Sequence, residues 1–591
     1  MCGISGVFGR SQRPVVESML SEIRHRGPDD QFVMSGEQFT LGARRLSIVD
    51  VAGGRQPIAN ERGCIWAAQN GELYNYPVIR PQLLAAGHQL HTHCDTELLP
   101  HLYEDHGIDL PKHIDGMFAV AVWDDDNKTG LLARDRMGKK PLYYWQSGDA
   151  LYFASELKSF LVVPGFTRTI NLEALHHYLS FKHVPHPLTI FSDVFAVPPA
   201  HRLVFKPGRA PEISRYWDVD FSVDEALAAQ PVEELVDEFL RLFTHGVKRR
   251  FMSDVPIGFF LSGGLDSSLS TAVAAQLSGT IKTFTLAYDA ASTTPGKEAD
   301  RKWAQWVADR YRTDHYEETI AFSSYPEQLR TILRCFDEPF AGVISSFFLS
   351  QRIAQHVKVA VSGDGADEIF GSYRSHRLAA ELPDVAAVNA EWRAKQLVYT
   401  EQQKFDIYAP DIARQLAGVS TVELLRQTFD SVKTGDPLNR VLEAEFKTIF
   451  PDQVLTYVDR LSMAHSLEVR TAYLDTDVVN FVARLPGHLK IRGGETKFLL
   501  KEAARRYFPA EMIDRPKEGF LMPVTEWILG DLQPYVRETL SEERLREHGF
   551  FRPERVRALV ERLYQPGADY TDVNRVMGLI VFQEWYDLYM R

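Results

Sequence analysis

Ile257-Gly258-Phe259-Phe260-Leu261-Ser262-Gly263-Gly264-Leu265-Asp266-Ser267-Ser268 reads as an apolar strand, a glycine- and hydroxyl-rich turn, and the start of a helix that continues through Leu269–Leu277. Two glycines and several hydroxyls after a strand gather backbone N–H groups at the positive end of a helix. Phosphate is the natural occupant of such a pocket. The turn is not a Walker A loop, because no G-x-x-x-x-G-K-[ST] occurs in the chain. A generic strand-to-helix turn needs only the two glycines. Ser-Gly-Gly-x-Asp-Ser-Ser is a much narrower pattern.

The same grammar recurs downstream. Lys358-Val359-Ala360-Val361 leads into Ser362-Gly363-Asp364-Gly365-Ala366-Asp367-Glu368, which sets three acids among glycines. Carboxylates at the end of a buried strand suit Mg²⁺, which prefers them together with phosphate oxygens and water. Apolar strands alternating with helical stretches such as Val232 to Arg250 imply a parallel sheet with ligands at the carboxyl ends of its strands. From about Val398 the pattern is mostly helical. Before about residue 210 the texture differs. Gly116–Trp123, Gly130–Ala133 and Ala150–Ala154 are short β-like runs between turns, as in stacked antiparallel sheets.

Bulk properties narrow the class. A chain of 591 residues with 45% hydrophobic and 25% charged content reads as two or more globular domains. The net charge of −13 argues against a nucleic-acid partner, which is held by clustered Lys and Arg. Four cysteines without a C-x-x-C pair give neither a zinc motif nor a disulfide framework. With no apolar leader and no run of about 20 apolar residues, a cytoplasmic location and no membrane partner are expected. His176, His177, His183 and His186 lack an H-E-x-x-H pattern and read as structural or surface residues. His88, His91 and His93 read as solvated, and Cys94 as a packing residue.

The chain starts Met1-Cys2-Gly3-Ile4. If Met1 is removed, Cys2 carries a thiol nucleophile and a free α-amine, whose reference pKa of roughly 7.7–8.0 lets it serve as the base. While Met1 is attached, that amine is acylated and cannot do so.

With these motifs in place, the sequence resembles the glutamine-hydrolysing asparagine synthetase family: a class II glutamine amidotransferase fused to an ATP-pyrophosphatase-type synthetase. The resemblance runs from Met1-Cys2-Gly3-Ile4 to Arg515-Pro516-Lys517-Glu518-Gly519-Phe520. It passes through Arg24-His25-Arg26-Gly27-Pro28-Asp29, Ala43–Asp50, Asn70-Gly71-Glu72-Leu73-Tyr74-Asn75, Asp95-Thr96-Glu97, Gly138–Tyr144, Ala154–Lys158, Asp459–Ala464 and Glu468-Val469-Arg470. It implies an α+β then α/β organisation. An N-terminal-nucleophile αββα glutaminase sandwich (1–210) and a linker (211–235) would precede a Rossmann-like ATP-pyrophosphatase domain with a helical C-terminal part (236–591).

The resemblance also implies roles. Cys2 would attack the glutamine amide, Asn70 and Gly71 would form the oxyanion hole, and Arg45 would pair with the α-carboxylate. Glu72 and Asp95, with Asn70, would complete the glutamine site. Ser262, Gly263, Gly264, Asp266, Ser267, Ser268, Ser362, Gly363, Lys497 and Lys517 would bind ATP. Asp266 and Asp367 would hold Mg²⁺, and Asp364 would be general base toward ammonia delivered by a sheltered passage. A homodimer is the family expectation.

Two stretches depart from the family pattern: Thr471-Ala472-Tyr473-Leu474-Asp475, and Ala341-Gly342-Val343-Ile344-Ser345-Ser346. They imply either changed packing or a changed acceptor pocket. The expected acceptor is aspartate, and another biosynthetic carboxylic acid is the alternative. A bare glutamine hydrolase is disfavoured by the intact Ser262–Ser268 loop. A β-lactam-forming relative is disfavoured by Cys2, and a non-catalytic protein by the completeness of the motif set.

Overall fold

The computed structural model describes residues 2–288, 298–320, 325–516, 524–567 and 570–591; Lys517 lies outside them. The N-terminal half carries β1 Cys2–Phe8, β2 Asp30–Ser35, β3 Phe39–Arg45, β4 Ile58–Ala59, β5 Ile65–Leu73, β6 Gly116–Asp124, β7 Thr129–Arg134, β8 Tyr143–Ser147, β9 Ala150–Ala154, β10 Val194–Ala196, β11 His201–Phe205 and β12 Glu212–Arg215. They form two six-stranded sheets, ordered β10-β8-β9-β1-β3-β2 and β12-β11-β7-β6-β5-β4. Within both sheets every pairing is antiparallel among the described residues.

Ile4, Phe8, Leu41 and Phe153 of one sheet meet Ala121, Trp123, Leu132 and Leu203 of the other in a dry inter-sheet core. The outer faces are covered too. Val16, Met19 and Leu20 of helix Arg13–Glu22 pack over the first sheet, and Leu98, Leu99 and Leu102 of helix Leu98–His106 over the second. This αββα sandwich explains why β1 and β6 are buried along their whole length, although antiparallel strands often alternate between core and water. The stretch expected as a linker contributes β12, which pairs with β11, and a long amphipathic helix starts at Val232.

The C-terminal half holds β13 Ile257–Phe260, β14 Lys282–Tyr288, β15 Asp314–Ile320, β16 Val359–Ser362 and β17 Glu468–Thr471, all parallel, in the order β15-β14-β13-β16-β17. The chain winds outward from β13 to β15, then returns to place β16 on the other flank of β13. Between β13 and β16 the winding reverses, and the crevice at their carboxyl ends is where open α/β sheets bind ligands. β17 lies inside the region read as helical. Four residues, Glu468-Val469-Arg470-Thr471, are too short to announce a strand among helices.

Buried ion pairs join the halves. Arg26 is wholly buried, with Nη1 2.8 Å from Glu156 Oε1 and Nη2 2.8 Å from Asp459 Oδ2. Lys140 Nζ reaches Asp459 Oδ1 at 3.1 Å, and Arg460 lies 3.2 Å from Glu156 and 3.4 Å from Asp337. The motifs around Arg26, Ala154–Lys158 and Asp459–Arg460 therefore weld the two halves together. Burying so many charges is tolerable only because each meets an opposite one.

Candidate functional site

Cys2 is the first residue of β1 and lies directly opposite Arg45 of β3, so both side chains project from the same face of the sheet. That register decides between the paired arginines. Arg44 turns to donate from Nε to the Leu20 carbonyl at 3.1 Å, and Arg45 is only 4% exposed beside Cys2. The Arg45 guanidinium donates to the carbonyls of Val49 (3.2 Å), Asp50 (2.6 Å) and Val51 (3.0 Å), and its nearest carboxylate, Asp30, is 3.9 Å away. It is a held, buried cation whose natural counter-ion is a ligand carboxylate.

The facing sheet supplies the rest. The backbone N–H of Cys2 donates to Asn70 Oδ1 at 3.4 Å. Asn70 Nδ2 is buried with no hydrogen-bond partner, so a donor waits next to the thiol for an acceptor. Gly71 sits at φ +156°, and a Cβ there would lie 2.0 Å from the Met117 carbonyl oxygen, so only glycine fits. Burial pushes the Cys2 thiol above its ordinary pKa, opposed by the Leu46 backbone, Arg45 and Gln56.

Gln56 was not foreseen. Its Nε2 donates to Cys2 Sγ at 2.9 Å and to the Gln69 carbonyl at 2.9 Å, while its Oε1 accepts from the Gln69 N–H at 2.6 Å. A single glutamine before a proline carries no signal in the sequence.

Glu72 and Asp95 form the acidic wall. Asp95 Oδ2 accepts from Gln69 Nε2 at 2.7 Å and from the Leu73 N–H at 2.8 Å. Burial pushes both carboxyls up, and Asp95 adds to the rise at Glu72. Glu72 Oε1 has no hydrogen-bond partner. Its Oε2 is paired with Arg470, and the hydrogen-bond-free Oε1 is the oxygen left for an ammonium ligand. Cys94 is buried, and burial with the charge of Asp95 pushes its thiol well up, which suits packing rather than nucleophilic attack.

The second constellation lies in the β13/β16 crevice. Gly263 has φ +80°, and a Cβ there would meet the Asp300 carbonyl at 1.9 Å. Ser262 Oγ lies 3.0 Å from Ser267 Oγ and accepts from the Gly264 N–H at 3.3 Å, which shapes the loop. Ser268 Oγ is buried without a hydrogen-bond partner, as is Asp266 Oδ1.

Lys497, held in the left-handed region at φ +57°, places Nζ 2.6 Å from Asp266 Oδ2 and 2.6 Å from Asp367 Oδ1. Against the cost of burial, the two carboxylates raise the Lys497 pKa above its ordinary value. Thus the lysine expected to bind ATP bridges the two acids expected at Mg²⁺. Asp364 accepts from Ser362 Oγ at 2.7 Å and from the Tyr457 hydroxyl at 3.4 Å. Burial, with the charges of Asp367 and Asp266, pushes its carboxyl up, the direction a base near neutral pH requires.

β17 connects the two constellations. Arg470 donates from Nε to Glu468 Oε1 at 2.6 Å, and its Nη2 reaches Glu72 Oε2 at 3.2 Å, across the boundary between the halves. Three residues on, the Tyr473 hydroxyl donates to the Asp266 carbonyl at 3.1 Å. Ala472, Tyr473 and Leu474 are fully buried, and the Tyr473 ring packs 4.5 Å from Phe243. This departure from the family pattern therefore braces the nucleotide loop from behind. His176, His177 and His183 are buried; His176 lies 2.8 Å from Glu401 and from Lys404 Nζ, in a structural network.

Comparison with known proteins agrees with this two-part arrangement. A glutamine amidotransferase domain family matches residues 1–217, and an asparagine synthase family matches residues 238–587. Asparagine synthetase [glutamine-hydrolyzing] 1 of Bacillus subtilis is 30% identical over all of this chain and 97% of its own length. Asparagine synthetase [glutamine-hydrolyzing] 3 of the same organism is 31% identical over 88% of this chain and 87% of its own. A protein named Amidase chry2, from Gibberella zeae, is 26% identical over 93% of each chain. Two halves matched in order, and a full-length relative at that identity, lead to one conclusion: this chain is an enzyme belonging to the glutamine-hydrolysing asparagine synthetase family.

Proposed function

We propose that the enzyme converts L-aspartate, L-glutamine and ATP to L-asparagine, L-glutamate, AMP and pyrophosphate. With Met1 removed, the Cys2 α-amine takes the thiol proton and Sγ attacks the glutamine amide carbon. Asn70 Nδ2 and the Gly71 N–H stabilise the oxyanion, ammonia leaves, and water later cleaves the thioester. Arg45 takes the substrate carboxylate, and Glu72 and Asp95 its ammonium. In the other half, the aspartate side-chain carboxylate attacks the α-phosphorus of ATP, and the bond to pyrophosphate breaks. The ammonia nitrogen then attacks the activated acyl carbon, gives a proton to Asp364, and AMP departs.

Ser262, Gly263, Gly264, Ser267, Ser268, Ser362 and Gly363 would cradle the nucleotide, with Lys497 and Lys517 as counter-charges. Asp266 and Asp367 would hold Mg²⁺, and the hydrogen-bond-free Asp266 Oδ1 in an all-oxygen donor set fits such an ion, which would offset phosphate charge. The observation that carries the reading is the segment Glu468–Tyr473, β17 and the two residues after it, which touches the glutamine-side Glu72 through Arg470 and the nucleotide loop through Tyr473.

Glutamine-dependent pyrophosphate release across a panel of carboxylic acids tests the acceptor. Aspartate should stimulate it most. Release with a different acid and none with aspartate would move the acceptor while leaving the chemistry in place.

Arg470→Ala offers a check on the link. It would take from Glu72, 3% exposed, the guanidinium that its Oε2 meets at 3.2 Å. A stability loss of about 3–5 kcal/mol is expected on chemical denaturation, together with a raised KM for glutamine. Unchanged values of both would show that Arg470 is not the tie.

A further inference from the structure

Outside both constellations, on the outer face of the N-terminal sandwich, four side chains converge in a way their sequence positions do not suggest. We propose that Glu61, His88, His101 and Glu104 form a binding site for a divalent transition-metal ion of the zinc class, one that fastens the elements carrying the glutaminase residues. The ligands come from three separate elements. Glu61 lies in the turn between β4 and β5. His88 follows Gly87, which ends helix Tyr76–Ala86. His101 and Glu104 stand three residues apart on helix Leu98–His106, hence on one face of it. One potential ligand atom from each lies within 4.8 Å of all the others.

Three of the four stand at the spacing of a coordination shell, with Glu104 within 4.8 Å of them. Glu61 Oε1 is 3.2 Å from His88 Nδ1, Glu61 Oε2 is 2.9 Å from His101 Nδ1, and the two Nδ1 atoms are 3.3 Å apart. Ligands at about 2.0–2.1 Å around tetrahedral zinc stand about 3.3–3.4 Å from one another.

The proton count points the same way. His88 Nε2 lies 3.2 Å from Asp105 Oδ1, a carboxylate that can only accept, so the imidazole proton belongs on Nε2. In the neutral ring, the form that binds a metal, the Nδ1 lone pair then faces Glu61 and His101; against the cost of burial, Asp105 and Glu61 raise the His88 pKa, so a metal would compete with a second proton at Nδ1. His101 has at most one proton on Nδ1, which can serve the carboxylate or His88 but not both. A histidine that ligates through one nitrogen and donates from the other to a carboxylate is the usual outer-shell arrangement of a metal site. Glu104, which completes the set, is itself oriented by Asn60, whose Nδ2 donates to Glu104 Oε2 at 2.9 Å. Two imidazoles favour zinc, cobalt, nickel or copper over Mg²⁺, so the site differs in kind from the oxygen-only pair Asp266 and Asp367.

Its position gives it a task. The helix bearing His101 and Glu104 continues directly from Asp95-Thr96-Glu97, and the Glu61 turn lies between Gln56 and Asn70 in the chain. An ion there would tie together the segments that hold Asp95, Gln56 and Asn70 without touching substrate. His88, expected from sequence to be solvated, is instead mostly enclosed, with its side chain 10% exposed.

The test uses the full-length chain, free of affinity tag and stripped of metal. Titrated with Co²⁺, it should develop the visible bands of tetrahedral cobalt, abolished by stoichiometric Zn²⁺. Zn²⁺ should raise the melting temperature where Mg²⁺ does not. His88→Ala and Glu61→Gln, both at partly accessible side chains, should lower Zn²⁺ affinity by at least about 100-fold in competition with a chromogenic chelator. His106→Ala, which only breaks the ring stack with His113, should leave the affinity unchanged. No cobalt spectrum, or an affinity that survives both His88→Ala and Glu61→Gln, would overturn the proposal and leave a proton on His88 as what holds the cluster together.

Discussion

Cys2→Ala should reduce glutamine-driven amide synthesis by at least about 10⁴-fold, because the proposed nucleophile would have no substitute in the pocket. Ammonium-driven synthesis should stay within a few-fold of the parent enzyme. Cys94, next to the site residue Asp95, is the alternative thiol on this side of the molecule, but burial and the charge of Asp95 push its pKa well up, so little thiolate forms. The substitution removes one sulfur from a position 7% exposed and leaves the β1 pairing with β3 intact, so the fold survives it. The ATP site proposed above lies in the β13/β16 crevice, with which Cys2 shares no residue. Steady-state assays with glutamine and with ammonium chloride as alternative nitrogen donors separate the two activities. If both vanish together, the division into two sites is wrong. If glutamine-driven synthesis persists, Cys2 is not the nucleophile. Mass spectrometry of the amino terminus belongs with this assay, since retained Met1 would leave the thiol without its base.

How much of this was legible beforehand depends on what kind of signal a residue emits. Ser262–Ser268 and Ser362–Glu368 were readable as loops at strand ends because glycines and hydroxyls stand at fixed offsets from an apolar run, and the parallel sheet followed from them; their phosphate role belongs to the proposal. Gly71 was legible as a motif member, and the structure supplies its reason in the Met117 carbonyl oxygen, which a Cβ at this position would approach to 2.0 Å. The inward arginine of the Arg44-Arg45 pair could be assigned only by resemblance until the register with Cys2 was seen.

What stayed hidden depends on tertiary contact. Gln56 meets Cys2 across 54 positions of sequence, and Arg470 meets Glu72 across 398. No local periodicity records such pairs. β17 was missed because four residues between helices carry too little pattern. Tyr473 is the clearest case: as a departure from the family pattern it left changed packing and a changed acceptor pocket both open, and only the structure shows its ring in the core and its hydroxyl on the Asp266 carbonyl, which is packing. The corner of Glu61, His88, His101 and Glu104 was equally silent, since its ligands follow no metal-binding spacing.

Asp266→Ala should lower aspartate-dependent ATP–pyrophosphate exchange by about 10³-fold, while basal glutamine hydrolysis is kept within a few-fold. The carboxylate has two tasks at one point. Its Oδ2 pairs with Lys497 at 2.6 Å, and its Oδ1, buried with no hydrogen-bond partner, is the oxygen available to an incoming cation. Removing it takes away half of the pair of acids that holds the lysine ammonium, which sits on a backbone at φ +57° that few residues other than glycine adopt readily. The loop should nevertheless keep its shape. The Tyr473 hydroxyl holds the backbone carbonyl of residue 266, the Ser262–Ser267 contact lies on the other side of the turn, and Gly263 is fixed by its approach to the Asp300 carbonyl. A loss of exchange would then report missing charge rather than a collapsed loop. Asp266→Asn sharpens the point, because it keeps the volume and removes only the charge. If Asn restores exchange, the side chain acts by packing. If it fails as Ala does, the negative charge at this position is what the adenylation step requires. Exchange that survives in both variants would mean that the nucleotide loop has been assigned to the wrong chemistry.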